Sequence, residues 1–221
     1  MAEGEGTGTG LVESARGRHD MPRVVAALAG ILERVAERND AAPEEPAAAP
    51  ASAFRATTKP GISVRAYAAR IARFAGCSPA CYVVAYIYLD RLLRRGRCLA
   101  LAVDSYSVHR LLITAVLSAV KFMDDICYNN AYFAKVGGIS LAEMNYLEVD
   151  FLFGLGFDLN VTPETFGDYC AVLQSEMLIS GGAGAPPAAA PAAPPRLHYC
   201  CLSEDDAGSS SLREAAPMEA S

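Results

Sequence analysis

The stretch VHRLLITAVLSAVKF, residues 108–122, decides the fold class. Val108, Leu111, Leu112, Ala115, Val116, Ala119 and Val120 recur at helical spacing, and other apolar residues fill the gaps between them. A helix that is apolar on nearly every side for three turns has no face for water. The spacing therefore predicts the central buried helix of an all-α domain, starting near Asp104.

The flanking sequence supplies its partners. Val64, Tyr67, Ala68, Ile71 and Phe74 mark one side of a helix over 63–74. Ser78-Pro79, an N-cap followed by a proline at the first helical position, opens a second helix that runs to about Arg94. Downstream, a short helical piece over 131–135 stops at Gly137-Gly138. The capping box Ser140-Leu141-Ala142-Glu143 opens a helix to about Leu155, and Thr162-Pro163 opens another to about Met177. The connections are too short for parallel-strand crossovers, and no hairpin signal occurs. Residues 61–178 thus read as one helical block of five main helices.

Upstream, Pro22 precedes Val24, Val25, Leu28, Ile31, Leu32 and Val35, an amphipathic helix over 21–40 that should pack on the block. A Pro/Ala linker is expected over 41–60. Residues 1–20 and 179–221 are rich in Gly, Ala, Pro and charge, the composition of disordered tails.

Of the 221 residues, 52% are hydrophobic and 20% charged, enough apolar side chain for a sizeable core. The 19 basic residues are outnumbered by 25 acidic ones, which argues against broad phosphate neutralisation and so against nucleic acid as a partner. Seven cysteines, odd in number and without a CxxC pair, read as free thiols in a reducing compartment, the nucleus or cytoplasm. The opening MAEGEGTGTG has neither the basic nor the apolar region of a secretory leader, and no apolar run is long enough for a membrane span.

Chemistry-bearing residues are few. Asp124-Asp125 follows an apolar helix, as magnesium-binding aspartates do, but Asn129 and Asn130 stand where further carboxylates would be needed. Helix capping explains the pair better. His109 has no nucleophile in recognisable context and reads as a surface or boundary histidine. GTGTG at residues 6–10 has neither the strand nor the Lys-Ser/Thr of a phosphate loop. No catalytic constellation, metal site or cofactor is expected. Asp90, within Tyr88-Leu89-Asp90-Arg91-Leu92-Leu93, stands among apolar neighbours and should be paired, because an isolated buried carboxylate is costly. Arg65 and Arg70 of the preceding helix are the candidate partners.

Together these strings resemble a cyclin. Tyr88-Leu89-Asp90-Arg91-Leu92-Leu93 is similar to the second-helix signature of the cyclin box, and Ser118-Ala119-Val120-Lys121-Phe122 to the end of its third helix. Glu148, nine residues before Phe157-Asp158-Leu159, stands where the box carries its partner-binding glutamate. The strings 108–114, 128–138 and 144–152 resemble the P-type (U-type) cyclins of plants, relatives of the yeast phosphate-pathway cyclin.

The resemblance implies a single five-helix cyclin box with an extra N-terminal helix, since the residues after Met177 are too few and too rich in Pro and Ala for a second box. It implies a non-catalytic regulatory subunit, monomeric within a heterodimer, that binds and activates a cyclin-dependent kinase of the PSTAIRE type (A-type in plants). Lys121 and Glu148 would bond to the kinase around its αC helix, and Phe122, Leu152, Phe157 and Leu159 would line the apolar groove that receives it. Ser118 replaces the larger apolar residue of animal cyclins, which implies a shallower groove. The rival reading is a cyclin-fold adaptor or transcription-associated module that binds other partners through the arginine-rich stretch 65–97 without activating a kinase.

Overall fold

A computed structural model describes residues 21–42, 52–95, 101–125 and 129–180. The tails over 1–20 and 181–221 and residues 43–51 of the linker lie outside the described residues, as do Cys98, Cys127, Cys200 and Cys201. The end of the expected linker packs on the domain, with Phe54 buried and Ala56 N donating to the Tyr106 carbonyl at 2.9 Å. Among the described residues there are seven helices and no strand. They are α1 (Arg23–Asp40), α2 (Val64–Ala75), α3 (Pro79–Arg95), α4 (Val108–Met123), α5 (Asn130–Gly137), α6 (Leu141–Gly154) and α7 (Pro163–Ser180). The short piece expected over 131–135 is a two-turn helix, so six helices follow α1. The central helix begins at Val108 rather than near Asp104, whose Oδ1 accepts from the backbone N–H groups of Tyr106 and Ser107 in a turn ahead of it.

Two helices are buried around their whole circumference. Every residue from Leu111 to Val120 of α4 is buried, and so is every residue from Cys81 to Asp90 of α3. They pack on each other, with α2, α5 and α6 closing around α4, and α1 and α7 closing around α3. The local signals work as written for the most part. Ser63 Oγ accepts from Ala66 N at 3.2 Å, and Ser140 Oγ from Glu143 N at 3.0 Å. Glu143 itself does not close the capping box; its carboxylate pairs with Arg110 of α4 and so ties α6 to the core. Gly76 and Gly138, at φ 62° and 72°, end α2 and α5 in the left-handed conformation that glycine adopts without strain.

Asp90 is buried and paired, but not with Arg65 or Arg70. Its carboxylate takes Arg94 Nε, one turn along α3, at 2.8 Å, and the hydroxyl of Tyr169 from α7. Tyr169 packs edge-on to Tyr86 with ring centroids 5.0 Å apart, and burial first, then the Asp90 carboxylate, push its hydroxyl pKa up. The correction follows from helix placement, because α2 packs on α1, α4 and α5 while Asp90 faces α7. Arg65 instead bonds Glu33 of α1 at 2.9 Å, lying against Gly30, where an added Cβ would meet its Nη2 at 2.9 Å. Arg70 donates to the Lys135 carbonyl of α5 at 3.1 Å.

His109 is not a surface residue either. It is 8% exposed, Nε2 lies 2.9 Å from the Ile62 carbonyl, and its ring meets Tyr67 edge-on at 5.0 Å. Burial lowers its pKa against the weaker, opposing pull of the Ile62 carbonyl.

Two outcomes follow. Asp90→Ala removes the acceptor of the buried Tyr169 hydroxyl and should cost about 2 kcal/mol in denaturant melts, whereas Arg65→Ala and Arg70→Ala should each cost about 1 kcal/mol or less. Because the folded His109 pKa lies below the ordinary 6.5, the unfolded chain binds the proton more readily. Its contribution is therefore present above about pH 6.5 and lost as pH falls through the lowered value. Between pH 7.5 and 5.5 the wild type should lose more stability than His109→Gln; parallel curves would refute this.

Candidate functional site

The surface beside the buried helices is built where α4 surfaces. The last buried residue is Val120, and Lys121, Phe122 and Met123 of its final turn are exposed. Lys121 stands there as a cation in the last helical turn, where the unsatisfied carbonyls favour it. Its Nζ donates to Glu148 Oε1 of α6 at 2.6 Å, with side chains 36% and 15% exposed. Asn130, at the first position of α5, donates from Nδ2 to Glu148 Oε2 at 2.7 Å and to Asn145 Oδ1 at 2.8 Å. In the unpartnered chain, then, the two charges named from sequence bond to each other, and three helix segments meet at one carboxylate.

Around this polar centre lies apolar surface. α6 buries Met144, Leu147 and Phe151 against the core. Its other face leaves Tyr146, Val149 and Phe153 in solvent, the last 68% exposed. Leu152, one turn beyond Glu148, is half-buried between the two faces. Phe122 at the end of α4 is also exposed.

After α6 the chain reverses through Gly156 and Phe157, both left-handed at φ 58° and 57°. For glycine this is free; for phenylalanine it costs on the order of 1 kcal/mol. The reversal closes with Phe157 N donating to Leu152 O at 3.0 Å, and it places the Phe157 ring 58% exposed, edge-on to Phe153 at 5.1 Å. The segment is tied down by α3. Tyr88 donates its hydroxyl to the Leu159 carbonyl at 2.7 Å, Arg91 reaches the Asp158 carbonyl at 2.8 Å, and Arg95 bonds the Leu155 carbonyl and the Asp158 carboxylate. Leu159 is half-buried behind it.

The structure thus brings Lys121 and Glu148 into contact, with Phe122 at the end of α4, Leu152 in the last turn of α6, and Phe157 and Leu159 in the segment that follows α6. Sequence reasoning missed Asn130, Val149 and Phe153. A signal for Phe153 existed: Phe151-Leu152-Phe153 spans more than half a helical turn, so one core face cannot take all three. In the sequence Asn130 stands within the string 128–138 and where a magnesium site would need a carboxylate, and neither reading gives it a bonding role. Asp124 caps α4 through its backbone N–H to Val120 O at 3.0 Å and lies 3.5 Å from Ser78 Oγ, a structural position.

An apolar face with a charge pair beside it, leaving large aromatic side chains in water, is suited to binding an amphipathic helix. Comparison with known proteins identifies the family. The sequence pattern of the family described as Cyclin matches residues 22–159. Cyclin-P4-1 of Oryza sativa subsp. japonica is 71% identical over 163 residues, covering 71% of this chain and 75% of the relative. Cyclin-U4-2 of Arabidopsis thaliana is 55% identical over 161 residues, 72% of this chain and 73% of its own. Cyclin-P2-1 of Oryza sativa subsp. japonica is 47% identical over 165 residues, 73% of this chain and 75% of the relative. Matched across α1 to the end of α6 and the turn beyond, the chain belongs to the cyclin family, in its plant P/U-type branch.

Proposed function

We propose that this chain is the regulatory subunit of a PSTAIRE-type cyclin-dependent kinase, bound one-to-one and active in the nucleus and cytoplasm. The observation that carries the reading is the exposed apolar face of α6 and the Phe157 turn, with the Lys121–Glu148 pair at its edge. A kinase αC helix seated there would bury Phe122, Leu152, Phe157 and Leu159 and take bonds from Lys121 and Glu148. Docking presses that helix inward and completes the kinase's own Lys-Glu pair, which positions ATP. The strained Phe157 backbone supports the reading, since strain retained at an exposed aromatic is best explained by what that ring binds. The charge pair sets register, and the apolar face supplies affinity.

The full chain mixed with a PSTAIRE-type kinase should bind and raise its activity. Lys121→Ala and Glu148→Ala, if each is a binding hot spot, should each weaken the complex by about 30- to 1000-fold (about 2–4 kcal/mol) with little change in the melting of the free chain. Phe157→Asn, which suits the left-handed backbone, should leave the fold as stable or more so yet weaken kinase binding. Binding that survives all three changes would sink the groove assignment, and salt-sensitive DNA binding in its place would favour the adaptor reading.

A further inference from the structure

We propose that Asn130 is a positioning residue for kinase docking, its amide holding the Glu148 carboxylate on the binding face when Lys121 turns away to the partner. The proposal rests on the docking reading above. In the free chain both oxygens of Glu148 are engaged, Oε1 by Lys121 and Oε2 by Asn130. A docked helix competes with Glu148 for the hydrogens of Lys121, and any that it takes weakens the mutual contact. Lys121 carries a long, part-exposed side chain that can swing, whereas Glu148 is mostly covered. Without a second donor the carboxylate would be released at the same moment, and binding would have to order it again.

The geometry of Asn130 suits this task. An amide nitrogen carries two hydrogens, and here Glu148 Oε2 and Asn145 Oδ1 take them at 2.7 and 2.8 Å. Its oxygen, Oδ1, is buried without a partner. Rotating the amide would set that oxygen against the Glu148 carboxylate, which can only accept, so Glu148 dictates the donor orientation. The backbone beneath is held as well: Asn129 caps α5 by accepting from Tyr132 N at 3.0 Å, and Phe133 and Ala134 of the same turn are buried. Asn145 lies three residues before Glu148 on α6, so Asn130 grips that helix at two neighbouring points of one face. An amide does this without adding charge, which leaves the Glu148 anion available to a partner. A carboxylate in its place would repel it.

The test uses the full chain against an immobilised PSTAIRE-type kinase, with the melting of each free variant measured alongside. Asn130→Ala should weaken binding about tenfold. Asn130→Asp should weaken it further, while its melting stays close to that of Asn130→Ala, because in the free chain repulsion from Glu148 is offset by the favourable place of a carboxylate at the first position of a helix. A further loss of affinity without a matching loss of stability is what a merely structural residue would not produce. If Asn130→Asp binds as well as Asn130→Ala or better, Asn130 only supports the fold and the proposal fails. Should Glu148→Ala lose binding while Asn130→Ala binds like the wild type, the proposal fails and the docking reading stands. A wild-type chain that does not bind the kinase overturns both.

Discussion

Two helices without a solvent face, α3 and α4, are the constraint on which everything else in this molecule depends. Each runs ten residues with no exposed position, so a polar group on them is costly unless it finds an internal partner. Thr114 meets the demand by donating to the Arg110 carbonyl one turn back at 2.7 Å, His109 through Ile62, and Asp90 through Arg94 and Tyr169. Arg110 and Arg94 lie on the buried helices themselves, Ile62 just ahead of α2 and Tyr169 on α7, so the last two tie the neighbouring elements to the core. Arg34 of α1 and Glu176 of α7, 2.8 Å apart, close the bundle on the far side.

The same constraint places the binding face. A buried helix must surface somewhere, and α4 does so at Lys121, delivering a cation and Phe122 to the edge of α6. α3 reaches the same region from behind, with Tyr88, Arg91 and Arg95 holding the turn that presents Phe157. The exposed face is therefore rigidly backed by the core, a favourable condition for binding a helix with little reorganisation.

Most of the fold was legible in the sequence because the helices announce themselves twice, by apolar period and by caps. The circumferential burial of α4 could be read from residues 108–120 alone. What could not be read was which side of a buried helix a polar residue faces. Asp90 and Arg65 looked like partners because they stand on successive helices, but pairing depends on the angular placement of α7, which only packing reveals. His109 likewise looked external because it adjoins Arg110, a residue that leaves the core by pairing with Glu143. For the binding face, Lys121 and Glu148 were legible through the cyclin resemblance. Asn130 was not, because its importance arises from α5 and α6 meeting at one carboxylate, a contact with no local pattern.

The central claim is that one face, made by the end of α4, the outer side of α6 and the Phe157 turn, receives the kinase. Hydrogen exchange of the full chain with and without a PSTAIRE-type kinase tests it most directly. The account predicts new protection at residues 121–123 and 148–159, with the α2 backbone unchanged. Protection concentrated on the arginine-bearing side of α2, or none at all, would contradict it.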